Sequence, residues 1–474
     1  WLVQEKIAAN ESLFTLANGY LGVRGALEEN SFAYHVGSYI NGFYDSKPIE
    51  YEETAFGLAK NSQTMLNVPD GRSITFSLDD EPFDLVTGTM LRYRRALDLR
   101  KGILFRETEW KSPSGKSVIV TSERIVPFNM PHVLAIRYAI RPLQEGTRLR
   151  IVSLLDGTVR NIAAGDDPRS GSRLTGDTFR PFGGWADPDT GRGGMRVRTK
   201  NSGLALFTAV SHTWRGMKEK PSRCSYENQR IHFELDGPAY AEQPFEMVKY
   251  VSYHSGNAGD EELLESLGIA ELDAAEKAGF DSICREQEAF LDDFWSRADV
   301  VLEGDPKVQQ SIRFNLFHIM QSVGKDGLTS IAAKGLTGEG YEGHYFWDTE
   351  IYVLPFLIYT EPAIARKLLM YRHSILPKAR ARALELSQHG ALYPWRTING
   401  EEASAYFLAG TAQYHINADI AYGIKKYLQV TGDMTFLPYA TEMLVETARF
   451  WSDLGDYIPR LGNAFCINGV TGPD

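Results

Sequence analysis

Met247-Val248-Lys249-Tyr250-Val251-Ser252-Tyr253 is the last stretch of the chain that reads as a strand, and from Asp260 the hydrophobic period becomes that of a helix. This change decides the fold class. Upstream, short runs are rich in β-branched and aromatic residues or alternate in polarity. Examples are Ile103–Thr108, Ser117–Thr121, Val133–Tyr138 and Ile231–Leu235. Turn signals separate them at Pro69-Asp70-Gly71, Pro113-Ser114-Gly115 and Asp236-Gly237. Many short, punctuated strands predict an antiparallel β-sandwich over residues 1–255. Residues 165–194, rich in Gly, Asp, Pro and Arg, are expected to form a long loop.

Downstream, Phe280, Ile283, Phe290, Leu291, Phe294 and Trp295 fall on one face at helical spacing. Residues 256–304 are therefore read as a helical linker. Asp305-Pro306 pairs a good N-cap with a residue suited to the first helical position. The helix it opens is expected to bury Val308, Ile312, Leu316 and Ile319. Further helices are expected near 347–359, 362–388 with a break at Pro377, 417–430 and 434–454. The chain is thus multidomain, β then α, with a third region over 305–474.

Composition removes several classes. A net charge of −11 without a long basic run disfavours phosphate backbones and anionic membranes. No apolar run approaches the ~20 residues that a membrane helix needs. Cys224, Cys284 and Cys466 are odd in number and far apart, which suits neither a disulfide framework nor a zinc site. No metal site is expected, and three reduced thiols point to the cytoplasm.

Chemistry concentrates in Gly335-Leu336-Thr337-Gly338-Glu339-Gly340-Tyr341-Glu342-Gly343-His344-Tyr345-Phe346-Trp347-Asp348-Thr349-Glu350. Gly338 to Gly343 satisfies G-x-G-x-x-G, but a dinucleotide site needs a βαβ context and the flanks are helical. The glycines instead allow sharp turns and close approach to a ligand. Phe346, Trp347 and Asp348 combine aromatic faces with a carboxylate, which suits a pyranose ring and its hydroxyls. Alone, the trio equally fits a helix start with a packed Trp and a solvated Asp. Two further clusters favour the sugar: Tyr393, Trp395 and Arg396 followed by Glu401-Glu402, and Tyr414-His415. Arg396 could orient a carboxylate or receive an anion. The Glu401-Glu402 pair reads equally well as a solvated loop face.

Asn10-Glu11-Ser12-Leu13-Phe14-Thr15-Leu16-Ala17-Asn18-Gly19-Tyr20-Leu21-Gly22-Val23-Arg24-Gly25 resembles the opening of glycoside hydrolase family 65. So do Ala333 through Glu350 and the closing run Asn468-Gly469-Val470-Thr471-Gly472-Pro473-Asp474. The resemblance implies an N-terminal β-sandwich, a helical linker and an (α/α)6 barrel, of which 305–474 would be the first part. It implies inverting phosphorolysis of an α-glucoside by inorganic phosphate, giving β-glucose 1-phosphate. Phosphate is then a co-substrate, and no cofactor is needed. Trp347 and Asp348 would hold the nonreducing glucose. Phe346 adjoins them, Tyr393, Trp395 and the Glu401-Glu402 loop would form walls, and Tyr414 and His415 would lie toward the second sugar. No catalytic residue is placed within the chain, because the general acid Glu is expected immediately after Asp474. The phosphate site is expected in the rest of the barrel, and this sequence alone should be inactive. Alternatives are an inverting hydrolase of the same fold and a noncatalytic carbohydrate-binding protein. Trehalose-like or kojibiose-like substrates rank above maltose. Family members are commonly homodimers.

Overall fold

The computed structural model describes residues 4–29, 33–53, 56–163, 174, 176–404 and 408–472. The N-terminal half is built of antiparallel sheets. One has eight strands, in the order Phe179–Asp187, Arg192–Thr199, Leu204–Arg215, Phe245–Asn257, Val133–Pro142, Ser117–Ile125, Ile103–Lys111 and Thr89–Asp98. A five-stranded sheet orders Arg223–Glu227, Arg230–Ala239, Thr147–Asp156, Ile74–Leu78 and Glu81–Pro82. Alternate residues of the two sheets meet in one apolar core. Val120, Ile136 and Val251 come from the first, and Ile151, Phe233 and Leu235 from the second, all buried. This is the sandwich expected from the strand pattern.

Local readings failed where glycine and proline were taken as loop signals. Phe179–Asp187 lies inside the expected 165–194 loop, yet it pairs with Arg192–Thr199. It is an edge strand with an irregularity between Pro181 and Gly184, and an edge tolerates both residues. Residues 165–173 and 175 of that loop lie outside the described residues. Asp236-Gly237 is not a turn either, since both residues pair in register with Arg150 and Leu149.

Helices α1 (Ile7–Leu13), α2 (Glu261–Ala278) and α3 (Phe280–Ala298) pack with this half. The helices α2 and α3 meet at Gly279, whose φ of +74° belongs to the left-handed region. The outer face of the eight-stranded sheet, through Ala205, Phe207 and Tyr250, receives Leu264, Leu272 and Ala275 of α2. Gly268 permits this approach: a Cβ there would stand 2.6 Å from the Phe207 ring. Leu291 and Phe294 of α3 join the sandwich core itself. The expected linker is therefore a packed layer on the sandwich.

The C-terminal half comprises α4 (Pro306–Ser322), α5 (Leu354–Thr360), α6 (Pro362–Ser374), α7 (Leu376–Glu385), α8 (Ile416–Thr431) and α9 (Leu437–Leu454). Asp305 caps α4 by accepting from the Lys307 N–H at 2.8 Å. The expected stripe of α4 is realised only toward its C-terminal end, where Leu316 and Ile319 pack against the buried cores. Val308 is 49% exposed, whereas Phe317 and Met320 are buried in the sandwich core. Burial along this helix rises toward its C-terminal end, where it docks on the sandwich. Among the described residues no helix is long and apolar enough to cross a membrane.

A four-stranded sheet, Leu16–Ala17, Leu21–Val23, Ser38–Pro48 and Asn61–Asn67, joins the halves. The opening motif lies here. Gly22 sits against Leu336, where a Cβ would meet the Leu336 Cβ at 2.4 Å. Arg24 is paired with Glu11 at 3.2 Å and donates to the Thr337 carbonyl. Asn41 donates to Ser330 O at 2.9 Å and accepts from the Tyr345 hydroxyl at 2.7 Å.

Behind this sheet, the Glu28 carboxylate accepts from Arg124 and Arg106 in the buried core. Burial pushes its pKa up, but the two guanidinium groups outweigh burial and hold it well below the usual carboxylate range. A carboxyl whose folded pKa is depressed stabilises the fold above its unfolded pKa and loses that contribution as pH falls. Acid titration should therefore destabilise the wild type below about pH 4.5, near the ordinary carboxylate value. Glu28→Gln should start less stable at pH 7 and lose less on acidification. Parallel loss in both proteins by circular dichroism would contradict this assignment.

Candidate functional site

The Gly-rich segment folds as a tight loop. Tyr341 and Glu342 carry φ of +55° and +57°, a conformation rarely taken by non-glycine residues. Gly343 follows at φ +74°, and a Cβ there would lie 2.4 Å from the Met65 Cβ. Gly343→Ala combines backbone strain with a clash and should cost about 1–3 kcal/mol. A thermal midpoint unchanged from wild type would show that this loop is not braced on Met65.

Next, His344 and Tyr345 anchor the chain. His344 is fully buried, and its Nε2–H donates to Gln63 O at 2.6 Å. Its Nδ1 accepts from Arg396 Nε at 3.1 Å. Burial, reinforced by Arg396, drives its pKa well below the usual value, so the ring is neutral. Tyr345 pairs in an isolated bridge with Thr397 and Ala332. The chain then presents Phe346, Trp347 and Asp348 and enters a π-helical turn over Thr349–Val353. Such widened turns are rare and recur at functional sites.

Beneath this turn, Glu350 and Arg372 form a bidentate ion pair at 2.7 and 2.8 Å, with side chains 2% and 1% exposed. Arg372 also donates to Phe346 O at 3.3 Å. Sequence reading missed this pair, because the partners lie on different elements and neither belongs to a recognisable spacing.

A groove of about 450 Å³ opens above it, lined by Tyr341, Phe346, Trp347, Asp348, Thr349 and Trp395 among others. Phe346 and Trp395 meet edge-on at 5.8 Å between ring centroids. His415 packs edge-on against Trp347 at 5.1 Å, and its Nδ1 lies 2.6 Å from Asp419 Oδ2. The groove thus sets two indoles and a phenyl ring beside an exposed carboxylate, Asp348. That arrangement can pack the C–H faces of a sugar and accept from its hydroxyls.

Other candidate residues stand elsewhere. Arg396 is 3% exposed and lies under the groove, with its guanidinium 5.4 Å from the Phe346 ring and donating to Tyr341 O. Tyr393 is buried in the helical core, and its backbone N–H donates to Asn417 Oδ1 at 3.1 Å. Tyr414 packs on Phe450 at 5.4 Å. The Glu401-Glu402 pair splits. Glu402 turns inward and accepts from the backbone N–H groups of Trp395 at 2.7 Å, Arg396 at 3.3 Å and Ser404 at 3.2 Å. Burial pushes its pKa up. Glu401 is largely exposed and lies 3.4 Å from Lys378. Both glutamates line a separate groove with Lys60 and Glu385, Glu401 as the exposed member of the pair.

The closing motif reaches this region. Thr471 donates through its N–H to Ala412 O at 3.1 Å and through its hydroxyl to Ala409 O at 3.2 Å. Between these carbonyls, Gly410 lies so close to Trp395 that a Cβ would meet the indole at 2.2 Å. Pro473 and Asp474 lie outside the described residues.

Comparison with known proteins gives the same picture in two blocks. Residues 2–294 match the glycosyl hydrolase family 65 N-terminal domain, and residues 313–474 match the central catalytic domain of that family. An α,α-trehalose phosphorylase of Thermoanaerobacter brockii is 47% identical over 98% of this chain and 60% of its own length. A kojibiose phosphorylase of the same organism is 33% identical over 98% of the chain and 60% of its length. A solved human-microbiome structure assigned as a kojibiose phosphorylase superposes with a TM-score of 0.90 at 26% identity. It covers 100% of this chain and 61% of that one. The chain thus spans about 60% of the length of the relatives it matches.

Proposed function

Because the chain belongs to glycosyl hydrolase family 65, we propose that its protein cleaves an α-glucosidic disaccharide with inorganic phosphate, releasing β-glucose 1-phosphate and the acceptor. The observation that carries this reading is the groove in which Trp347 and Trp395 flank Asp348. Asp348 accepts from the distal hydroxyls of the nonreducing glucose, and the aromatic faces cover its C–H surface. His415, held by Asp419 and packed on Trp347, stands toward the second sugar.

Phosphate attacks the anomeric carbon from the face opposite the glycosidic oxygen, so the configuration inverts. In an inverting hydrolase a carboxylate must activate water on that face. Phosphate is already a competent nucleophile and needs no such base. The resemblance assigns the general acid to a Glu following Asp474; Thr471 itself donates to the Ala409 carbonyl, next to Gly410, which packs against Trp395. In this reading residues 1–255 are the scaffold, 256–304 the linker and 305–474 the first part of the (α/α)6 barrel. The protein is a cytoplasmic homodimer that uses no cofactor.

Trehalose is the favoured substrate, supported by the greater identity to a trehalose phosphorylase than to a kojibiose phosphorylase from one organism. The test incubates the protein carrying this chain with trehalose, kojibiose or maltose, with and without phosphate. Anomeric proton spectra should show β-glucose 1-phosphate only when phosphate is present, and fastest from trehalose. Glucose release independent of phosphate would instead identify a hydrolase, and no turnover of any α-glucoside would leave only sugar binding.

A further inference from the structure

We propose that His132, His254 and Glu271 form a binding site for a borderline divalent cation of the zinc type, at the seam between the sandwich and α2. His132 Nδ1 lies 2.9 Å and His254 Nε2 2.7 Å from the same oxygen, Glu271 Oε2. All three ligand atoms fall within 4.8 Å of one another. In a tetrahedral zinc site with ligand bonds of about 2.0–2.1 Å, neighbouring donor atoms stand roughly 3.3 Å apart. Small side-chain rotations connect the two arrangements.

The donor set also has the right chemistry. Two imidazole nitrogens and one carboxylate oxygen suit zinc and its first-row neighbours, whereas magnesium prefers oxygen ligands in an octahedron. The two rings are stacked, with centroids 4.2 Å apart and planes inclined at 26°. Tyr20 packs edge-on against His132 at 4.5 Å and limits its rotation.

Two regular elements and the turn before a third supply the ligands. His132 immediately precedes the strand Val133–Pro142, His254 belongs to the strand Phe245–Asn257, and Glu271 lies within α2. His254 is buried, while the His132 side chain is 32% exposed. The site therefore has a packed floor and an open rim through which a cation enters and on which water completes the coordination. A bound ion would cross-link the sandwich sheet to the helix that follows it. In the sequence, His132 and His254 stand 139 and 17 residues from Glu271. No ligand spacing announced the cluster, and the cysteines alone had suggested the absence of a metal site.

The test uses tag-free protein carrying the whole chain, freed of metal with a chelator and dialysed. Zinc titration should saturate at one equivalent per chain and raise the thermal midpoint. Cobalt(II) should give a visible d–d band that zinc abolishes, and magnesium should change nothing. Glu271→Gln keeps a hydrogen-bonding side chain but loses the anionic ligand, and should weaken zinc binding at least tenfold. His132→Ala, at the exposed rim, should do the same without altering the circular dichroism spectrum. The proposal is overturned if the wild type binds no stoichiometric zinc, or if its affinity survives both substitutions.

Discussion

Glu350→Ala should lower the stability of the helical half by about 3–5 kcal/mol, the range for breaking a buried ion pair by removing one partner. Both side chains are almost fully buried, so the substitution leaves the Arg372 guanidinium without its anion in a site that water reaches poorly. Burial opposes the Arg372 charge, but Glu350 outweighs it and raises the guanidinium pKa. The damage should extend to the groove, because Arg372 also holds the Phe346 carbonyl one residue before Trp347. Replacing both partners together, as Glu350→Leu with Arg372→Met, should cost less than the single change, since no unpaired charge remains. The check is the urea midpoint and slope of the three variants. A single mutant as stable as wild type would mean that water or a rearranged side chain compensates Arg372, and that the pair does not brace the π-helical turn.

Asp348→Asn should reduce sugar binding by roughly 1.5–3 kcal/mol, the difference expected when hydrogen bonds to a charged acceptor are lost. In kcat/KM that is about tenfold to more than a hundredfold. The residue is exposed at the groove and opens the π-helical turn, so its substitution should leave the unfolding free energy within about 0.5 kcal/mol of wild type. The contrast with Glu350→Ala separates the two expected roles: one residue bracing the site, and the other contacting the sugar under the proposed function. Unchanged kinetics in Asp348→Asn would remove this side chain from the subsite. A fall in stability matching the fall in activity would assign it a structural part.

How legible these roles were depended on the range of the interactions involved. Strands such as Val133–Pro142 and Phe245–Asn257 were visible because their side chains repeat at the period of the backbone itself. The cap at Asp305 and the break near Pro377 were visible for the same local reason. The edge strand Phe179–Asp187 was hidden, because its glycines and proline signal a loop unless a neighbouring strand is known to be there. The stripe of α4 held only toward its C-terminal end, because periodicity marks an apolar face but not how much of the helix meets the sandwich. Adjacent Glu401 and Glu402 could not be told apart in sequence, yet one anchors three backbone N–H groups and the other faces solvent.

By itself the sequence established the order of the chain, strands and then helices, and placed aromatic and acidic residues in the connections between helices. Both are short-range properties, set by side-chain periodicity and by the few residues that can turn the backbone. Tertiary structure decided which of those residues share a groove. Trp347, Asp348 and Trp395 line it, while Arg396, Glu402 and Tyr393 support it from below or within the core. That sorting comes from contacts such as Gln63 with His344, Glu350 with Arg372 and Gly410 with Trp395. Burial forces each of these polar groups to find a partner, and close packing determines which one is within reach.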